Sequence, residues 1–371
     1  MIKDSKDVVD EDLRYICNNL KTELLELSGK KVLIAGGAGF LGYYMVQAIL
    51  HWNRKNSSRK PIDLTVHDNF MRGVPDWLKN LEGHKNLVVE KHDVIDKLPN
   101  NEGTFQYIIH AATIASPIYY RKHPIETMDA NINGLRNFLD YCIDRKSKGK
   151  PVKGFLFFST SEIYGDPDPG NIPTSETYRG NVSCTGPRAC YDESKRYGET
   201  LCVNFAKQYD LPIRIARPFN NYGPGLKISD RRALPDFARN IFNNENIVLL
   251  SDGSPTRTFC YVADAIIGYF KILIRGKDGE SYNIGLDKPE ISIYELAERT
   301  INISRKIFDY KGKLVMKISD DKEYLTDNPN RRCPIIDKAR KELDYNPTIC
   351  LDEGLKRSLL WYSDNQASED L

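Results

Sequence analysis

An α/β fold built on a doubly wound parallel sheet, with a smaller mixed α/β lobe beside it, is what this sequence predicts. Three observations predict it. Strand-like and helix-like patterns take turns from Lys31 to Arg217, which is how a parallel sheet with helices on both faces reads. A glycine triplet, Gly36, Gly39 and Gly42, lies between the first strand and the helix that follows it. The chain has 371 residues, more than one compact core usually holds, so two lobes are expected.

The elements follow in order. Residues 1–29 read as a helical extension, with Leu13, Cys17, Leu20, Leu24 and Leu25 at helical spacing. Strands are expected at Lys31–Ala35, Asp63–His67, Leu87–Lys91, Tyr107–Ala111, Gly154–Ser159 and Ile213–Arg217. Helices are expected at Gly39–His51, Thr127–Arg145 and Tyr191–Tyr209, the second carrying the stripe Met128, Ile132, Leu135, Leu139 and Cys142. Residues 30–217 thus form the predicted nucleotide-binding domain. From 218 the chain turns basic and rich in turn residues (FNNYGPGLKISDRR), so 218–371 is expected to supply most of the second lobe, including short strands at Ile247–Leu250 and Ser281–Ile284. That lobe is discontinuous, because a segment near 259–275 reads as returning to the first domain.

Composition excludes several functions. Lys+Arg 53 against Asp+Glu 51 leaves no basic or acidic footprint for nucleic acid or a membrane surface. Eight cysteines without a CxxC suggest neither a disulfide framework nor a metal site, and fit a reducing cytoplasm. The charged N-terminus lacks the apolar core of a secretory signal. Val32–Leu50 is apolar enough to resemble a membrane span, but its glycines divide it into a strand and a helix of soluble lengths.

The glycine triplet, GxxGxxG, permits a tight turn and a close approach of backbone amides to a pyrophosphate at a helix N-terminus. Phe40 and Leu41 open that helix and join the expected cofactor contacts. The next strand ends at Asp68, followed by Asn69; an acid there accepts hydrogen bonds from ribose hydroxyls and repels a 2′-phosphate, which favours NAD over NADP. Asp93, beside Val94, holds the adenine amine or caps a loop. Ala111 and Ala112 let the cofactor lie close to the chain or pack tightly.

Tyr191 and Lys195 stand at i and i+4, on one helix face. An ammonium there lowers the phenol pKa and makes Tyr191 a usable base. Upstream, a strand ends in the polar cluster Ser159, Thr160, Ser161 and Glu162.

Together GGAGFLG, Asp68, STSEIYGD, YDESK and RPFNNYGP resemble the extended short-chain dehydrogenase/reductase family, Rossmann-type enzymes acting on nucleotide sugars. The resemblance runs from about Lys30 to about Tyr362. It implies that Thr160 hydrogen-bonds the sugar, Tyr191 takes its proton, Lys195 holds the nicotinamide ribose, and NAD accepts hydride from the sugar C4. GPRACYDESKRYGET is most similar to the UDP-glucuronate decarboxylases within that family. The same resemblance implies Tyr120 on the substrate, Asn220 and Arg232 on the diphosphate or ribose, Arg257 on the phosphates or near the sugar carboxylate, an Arg331–Arg332 pair near a proline with Arg331 among the substrate residues, and a homodimer through the Thr127–Arg145 and Tyr191–Tyr209 helices.

The chemistry separates neighbouring activities. A 4,6-dehydratase must protonate a departing hydroxyl, and those enzymes place an aspartic acid before the glutamate. Here that position is Ser161, whose hydroxyl is a far weaker acid. Decarboxylation needs no leaving-group acid, since oxidation at C4 makes a β-keto acid. Ser161 followed by Glu162, a proton handler near C4–C5, therefore favours decarboxylation. A 4,6-dehydratase, 4-epimerase or 4-dehydrogenase is the alternative, and a non-catalytic NAD-sensing protein a remote one. LSDG (Leu250–Gly253) and YGPGL (Tyr222–Leu226) depart from the decarboxylase pattern where base and sugar are expected.

Overall fold

The computed structural model describes residues 2–98, 104–317, 319 and 326–366. Seven strands make one parallel sheet: β1 (Lys31–Ala35), β2 (Asp63–Asp68), β3 (Leu87–Lys91), β4 (Tyr107–His110), β5 (Gly154–Phe158), β6 (Ile213–Pro218) and β7 (Ser281–Ile284). Their order is β7-β6-β5-β4-β1-β2-β3. The direction of winding reverses between β1 and β4, which is where an open sheet of this kind leaves a crevice for a ligand. Register is continuous there, with Ala35 paired to both His67 and His110.

Central strands are covered on both faces, so they read as apolar runs and not as alternating patterns. All five residues of β5, GFLFF, are buried. One face packs against the Phe40–Lys55 and Val262–Arg275 helices through Val32, Ile34, Val46, Ile49, Ile266 and Phe270. The other packs against Leu135–Ser147 and Ala189–Tyr209 through Leu33, Ile108, Phe138, Phe155 and Cys202. The expected Thr127–Arg145 helix is a composite, Pro124–Asp129 and Leu135–Ser147 joined by a π-helical turn, Ala130–Gly134.

Two expectations need correction. Ser281–Ile284 does not belong to the second lobe: it pairs in parallel with β6, Ser281 opposite Ile215 and Ile284 opposite Pro218. The returning segment therefore runs from Cys260 through the Val262–Arg275 helix to the end of β7. The N-terminal extension is two helices, Ser5–Asn19 and Lys21–Leu27, broken at Leu20. Asp12, fully buried, explains how the first is held. Its carboxylate accepts hydrogen bonds from the Tyr44 and Tyr261 hydroxyls and pairs with Arg357 at 2.6 Å, joining the extension to the Leu351–Asp364 helix.

The second lobe carries a small three-stranded sheet, Ile291–Ser292, Thr256–Arg257 and Arg331–Arg332. Its register sets Arg332 beside Arg257 and Arg331 beside Thr256. Among the described residues no helix is long and apolar enough to cross a membrane.

Candidate active site

A cleft of about 1240 Å³ opens at the carboxyl ends of the strands and is walled on its far side by the second lobe. It collects Gly36, Gly39, Phe40, Leu41, Gly42, Asp68, Asn69, Asp93, Val94, Ala111 and Ala112 on the sheet side. Tyr120, Thr160, Ser161, Glu162, Tyr191, Lys195, Asn220, Arg232 and Arg257 complete it. Arg331 alone of the expected site residues lies elsewhere.

At the cofactor end, Gly36 adopts φ +79°, and a Cβ on it would lie 2.6 Å from the Ala112 backbone. Only glycine fits a left-handed turn pressed this closely against the β4 loop. Asp68 accepts the amides of Ala38 at 3.1 Å and Phe70 at 2.9 Å. Burial raises its pKa and those two amides oppose the rise. Each oxygen keeps a lone pair for a ribose hydroxyl. Asp93 caps its loop, accepting from Asn69 Nδ2 at 3.0 Å and from the Ile95 amide at 3.2 Å, and it also lines the cleft. The buried hydroxyls of Thr113 and Ser159, both facing the cleft, have no partner among the described residues. A dinucleotide fits this set: a turn without Cβ for the pyrophosphate, a paired acid at the strand end, and spare buried hydroxyls.

At the catalytic end, Thr160 caps the Ser161–Tyr164 turn, its hydroxyl accepting from the Glu162 amide at 3.2 Å, and lines the cleft with Tyr191. Tyr120 stacks on Tyr191, ring centroids 5.1 Å apart and planes within 10°. The expectation that Lys195 lowers the phenol pKa does not hold in the free protein. Lys195 donates to the Phe158 carbonyl at 2.7 Å, its Nζ lies 5.9 Å from the Tyr191 ring centre, and burial lowers its own pKa to about 7. Burial likewise raises Tyr191 well above 10; the charges of Glu162 and Asp192 add to the rise, and Thr160 and Arg232 oppose it. Spacing on the helix was right; desolvation, which spacing does not reveal, decides the pKa.

Beside Tyr191 lies a cluster of charge. Glu162 pairs with Arg188 and, through both of its oxygens, with Arg332. Burial alone would raise the Glu162 pKa; Arg188 and Arg332 overcome it and hold the group at about 2. It is therefore an anion at any physiological pH and no reservoir of protons, which corrects the expectation of a proton handler. Arg257, 6 % exposed, donates to the backbone carbonyls of Thr256, Pro329 and Asn330.

Arg331 turns out of this cluster. Successive residues of a strand face opposite ways, so Arg332 takes the cleft side with Arg257, while Arg331 forms a bidentate pair with Glu290 at 2.9 and 2.7 Å. Arg188 was not singled out in the sequence, although standing three residues before Tyr191 puts it on the same helical face. Asp230 was missed as well: buried, it ties Arg72 of the β2 loop to Arg232 of the second lobe, across the cleft.

Comparison with known proteins agrees with this arrangement. Residues 32–285 match the model of the NAD dependent epimerase/dehydratase family. UDP-glucuronic acid decarboxylase 5 of Arabidopsis thaliana is 38 % identical over 331 residues, 88 % of each chain. UDP-glucuronic acid decarboxylase 1 of Xenopus tropicalis is 33 % identical over 91 % of this chain and 73 % of its own. Among solved structures, the epimerase Mth375 of Methanothermobacter thermautotrophicus superposes with a TM-score of 0.77 at 25 % identity, covering 94 % of this chain and 96 % of that one. The seven-stranded sheet, the glycine turn at Gly36 and the Tyr191–Lys195 helix thus have a common origin with these enzymes: the chain belongs to the NAD dependent epimerase/dehydratase family.

Proposed function

We propose that the protein oxidises a nucleoside-diphosphate uronic acid at C4 with NAD and releases its carboxyl group as carbon dioxide, converting UDP-glucuronate to UDP-xylose or to the 4-keto pentose. One observation carries the reading: Arg188, Arg257 and Arg332 converge beside Tyr191 with Glu162, among the described residues, as their one cleft-facing carboxylate. Their excess positive charge suits a sugar that bears a carboxylate and is wasted on a neutral hexose. The names of the relatives at 33 to 38 % identity support the same substrate.

NAD, when bound, supplies the hydride acceptor. Tyr191 can take the C4 hydroxyl proton only as a phenolate, a state that burial disfavours in the free protein and that the ammonium of Lys195, drawn toward the ribose, would favour. Neutral after that transfer, its phenol donates a hydrogen bond to the C4 oxygen while negative charge builds there. The guanidiniums anchor the carboxylate, and the fixed anion of Glu162 lies close enough to the cluster that loss of a neighbouring negative charge is favoured. Lys195, held by the Phe158 carbonyl, is set to reach the nicotinamide ribose. Ser161, 3 % exposed, offers no acid for expelling a hydroxyl, which argues against a dehydratase.

The protein is further proposed to be a cytoplasmic homodimer; eight free cysteines fit a reducing compartment, and the Ala189–Tyr209 helix leaves Tyr197 and Val203 exposed. Incubation with UDP-, CDP-, GDP- and dTDP-uronates, reading carbon dioxide and product mass, tests the activity: release of one carbon dioxide per pentose formed is expected, and none from any of them refutes it.

A further inference from the structure

Asp192 follows Tyr191 on its helix but turns behind the cleft wall. It is 4 % exposed. Its Oδ2 lies 3.6 Å from Arg188 Nε, and its Oδ1 and that same Nε have no hydrogen-bond partner among the described residues. A carboxylate ionised at such depth draws a guanidinium into direct contact. Arg188 instead directs its Nη2 to Glu162. The geometry is that of a neutral carboxyl kept beside an arginine that serves another anion.

The surrounding groups act the same way. Glu162 faces Asp192 from the Ser161–Tyr164 turn, Arg188 from the head of its own helix, Arg332 from the small sheet. Cys190 and Tyr191 flank it, and the Tyr120 phenol, itself without a partner among the described residues, approaches from the Pro117–Lys122 helix. Burial and then the Glu162 charge raise the Asp192 pKa to about 8, against Arg188 and Arg332.

We propose that Asp192 is a positioning residue held neutral so that Arg188 remains available to an incoming sugar carboxylate, and that ionising Asp192 weakens binding of acidic sugars. With Asp192 neutral, three guanidiniums face, among the described residues, the single charge of Glu162; with Asp192 ionised, one more positive charge is already compensated. The inference rests on the uronate reading above. It adds a consequence: binding a uronate at mildly alkaline pH takes up a proton, whereas binding the matching neutral sugar does not.

Calorimetry tests this with UDP-glucuronate and UDP-glucose in buffers of different ionisation enthalpy, using the Tyr191→Phe protein to suppress turnover. If the bound sugar raises the Asp192 pKa by about 1.5 units, uptake at pH 8.5 is roughly half a proton or more for UDP-glucuronate. Affinity for it falls roughly five- to tenfold from pH 7 to pH 9, and adding Asp192→Asn reduces that fall to less than about twofold. An infrared carbonyl band of a protonated carboxyl at pH 7, lost in Asp192→Asn, is expected as well. Equal proton uptake for the two sugars, an unchanged pH dependence in Asp192→Asn, or no such band overturns the proposal. Failure of UDP-glucuronate and of the CDP-, GDP- and dTDP-uronates to bind at pH 7 overturns the uronate reading itself; normal binding without the proton linkage overturns only the role of Asp192.

Discussion

Glu162→Gln removes one charge from the arginine cluster and preserves its shape. Arg188 and Arg332 hold the Glu162 pKa at about 2 against an ordinary 4.5, a depression equivalent to about 3 kcal/mol of folded-state stability at neutral pH. Because the folded value is the lower one, that contribution is complete above about pH 4.5 and is lost as pH falls through about 2. The substitution also acts on Asp192. The Glu162 charge is, after burial, what pushes Asp192 up to about 8; without it Asp192 ionises more readily and pairs with the Arg188 that Glu162 has released. Part of the loss is recovered, so Glu162→Gln is expected to cost about 1–3 kcal/mol at pH 7, less than the ~3–5 kcal/mol typical of breaking a buried pair.

The same coupling predicts a reversal of sign. In the natural protein Asp192→Asn stabilises, because folding at pH 7 must protonate an acid whose ordinary pKa is 3.8; with the folded value raised, that cost grows between about pH 3.8 and pH 8. In the Glu162→Gln background the same change destabilises, because it removes the last anion beside Arg188. Urea unfolding of the four proteins at pH 7 measures the cycle. Additive effects of the two substitutions would refute both the charge assignment and the sharing of Arg188.

Other consequences are direct. Tyr191→Phe is expected to lower kcat by about 10²- to 10⁴-fold while co-purified NAD, measured by mass spectrometry, stays. Gly36→Ala combines φ +79° with a Cβ 2.6 Å from the Ala112 backbone; the protein is expected to purify without NAD, read from its absorbance and nucleotide content. Asp12→Ala strips two tyrosine hydroxyls and Arg357 of their acceptor and is expected to cost about 3 kcal/mol in chemical denaturation, with the apolar face of the N-terminal helices exposed to proteolysis.

What the sequence revealed followed how local each feature is. The strands β1, β3 and β5 are short apolar runs bounded by glycine or polar residues, and their limits were legible to within a residue. The glycine turn, Asp68 and the Tyr191–Lys195 pair were legible for the same reason, since each is a spacing within one or two elements. Features set by distant partners were not. That Ser281–Ile284 edges the main sheet depends on pairing with Ile213–Pro218, more than 60 residues earlier. That Arg332 and not Arg331 faces the cleft depends on its register against Arg257. The i, i+4 spacing shows that Lys195 neighbours Tyr191 but not that both groups are buried, and desolvation outweighs their mutual effect.

The missing acid at Ser161 gains force from its surroundings. An acid catalyst for expelling a hydroxyl must face the sugar and hold a proton near neutral pH. Beside Tyr191, Glu162 faces the cleft but two arginines keep it ionised, and Asp192 holds its proton but lies behind Arg188. Neither meets both conditions, and Ser161, which faces the cleft and keeps its proton, is far too weak an acid to give it up. Decarboxylation asks for neither: it needs a carboxylate held in place and a donor at the C4 oxygen. An arginine cluster and a high-pKa phenol, poor equipment for dehydration, are what that reaction uses. The depressed Glu162 and the elevated Asp192 are then two sides of one arrangement, in which positive charge is kept in surplus until an acidic sugar arrives to share it.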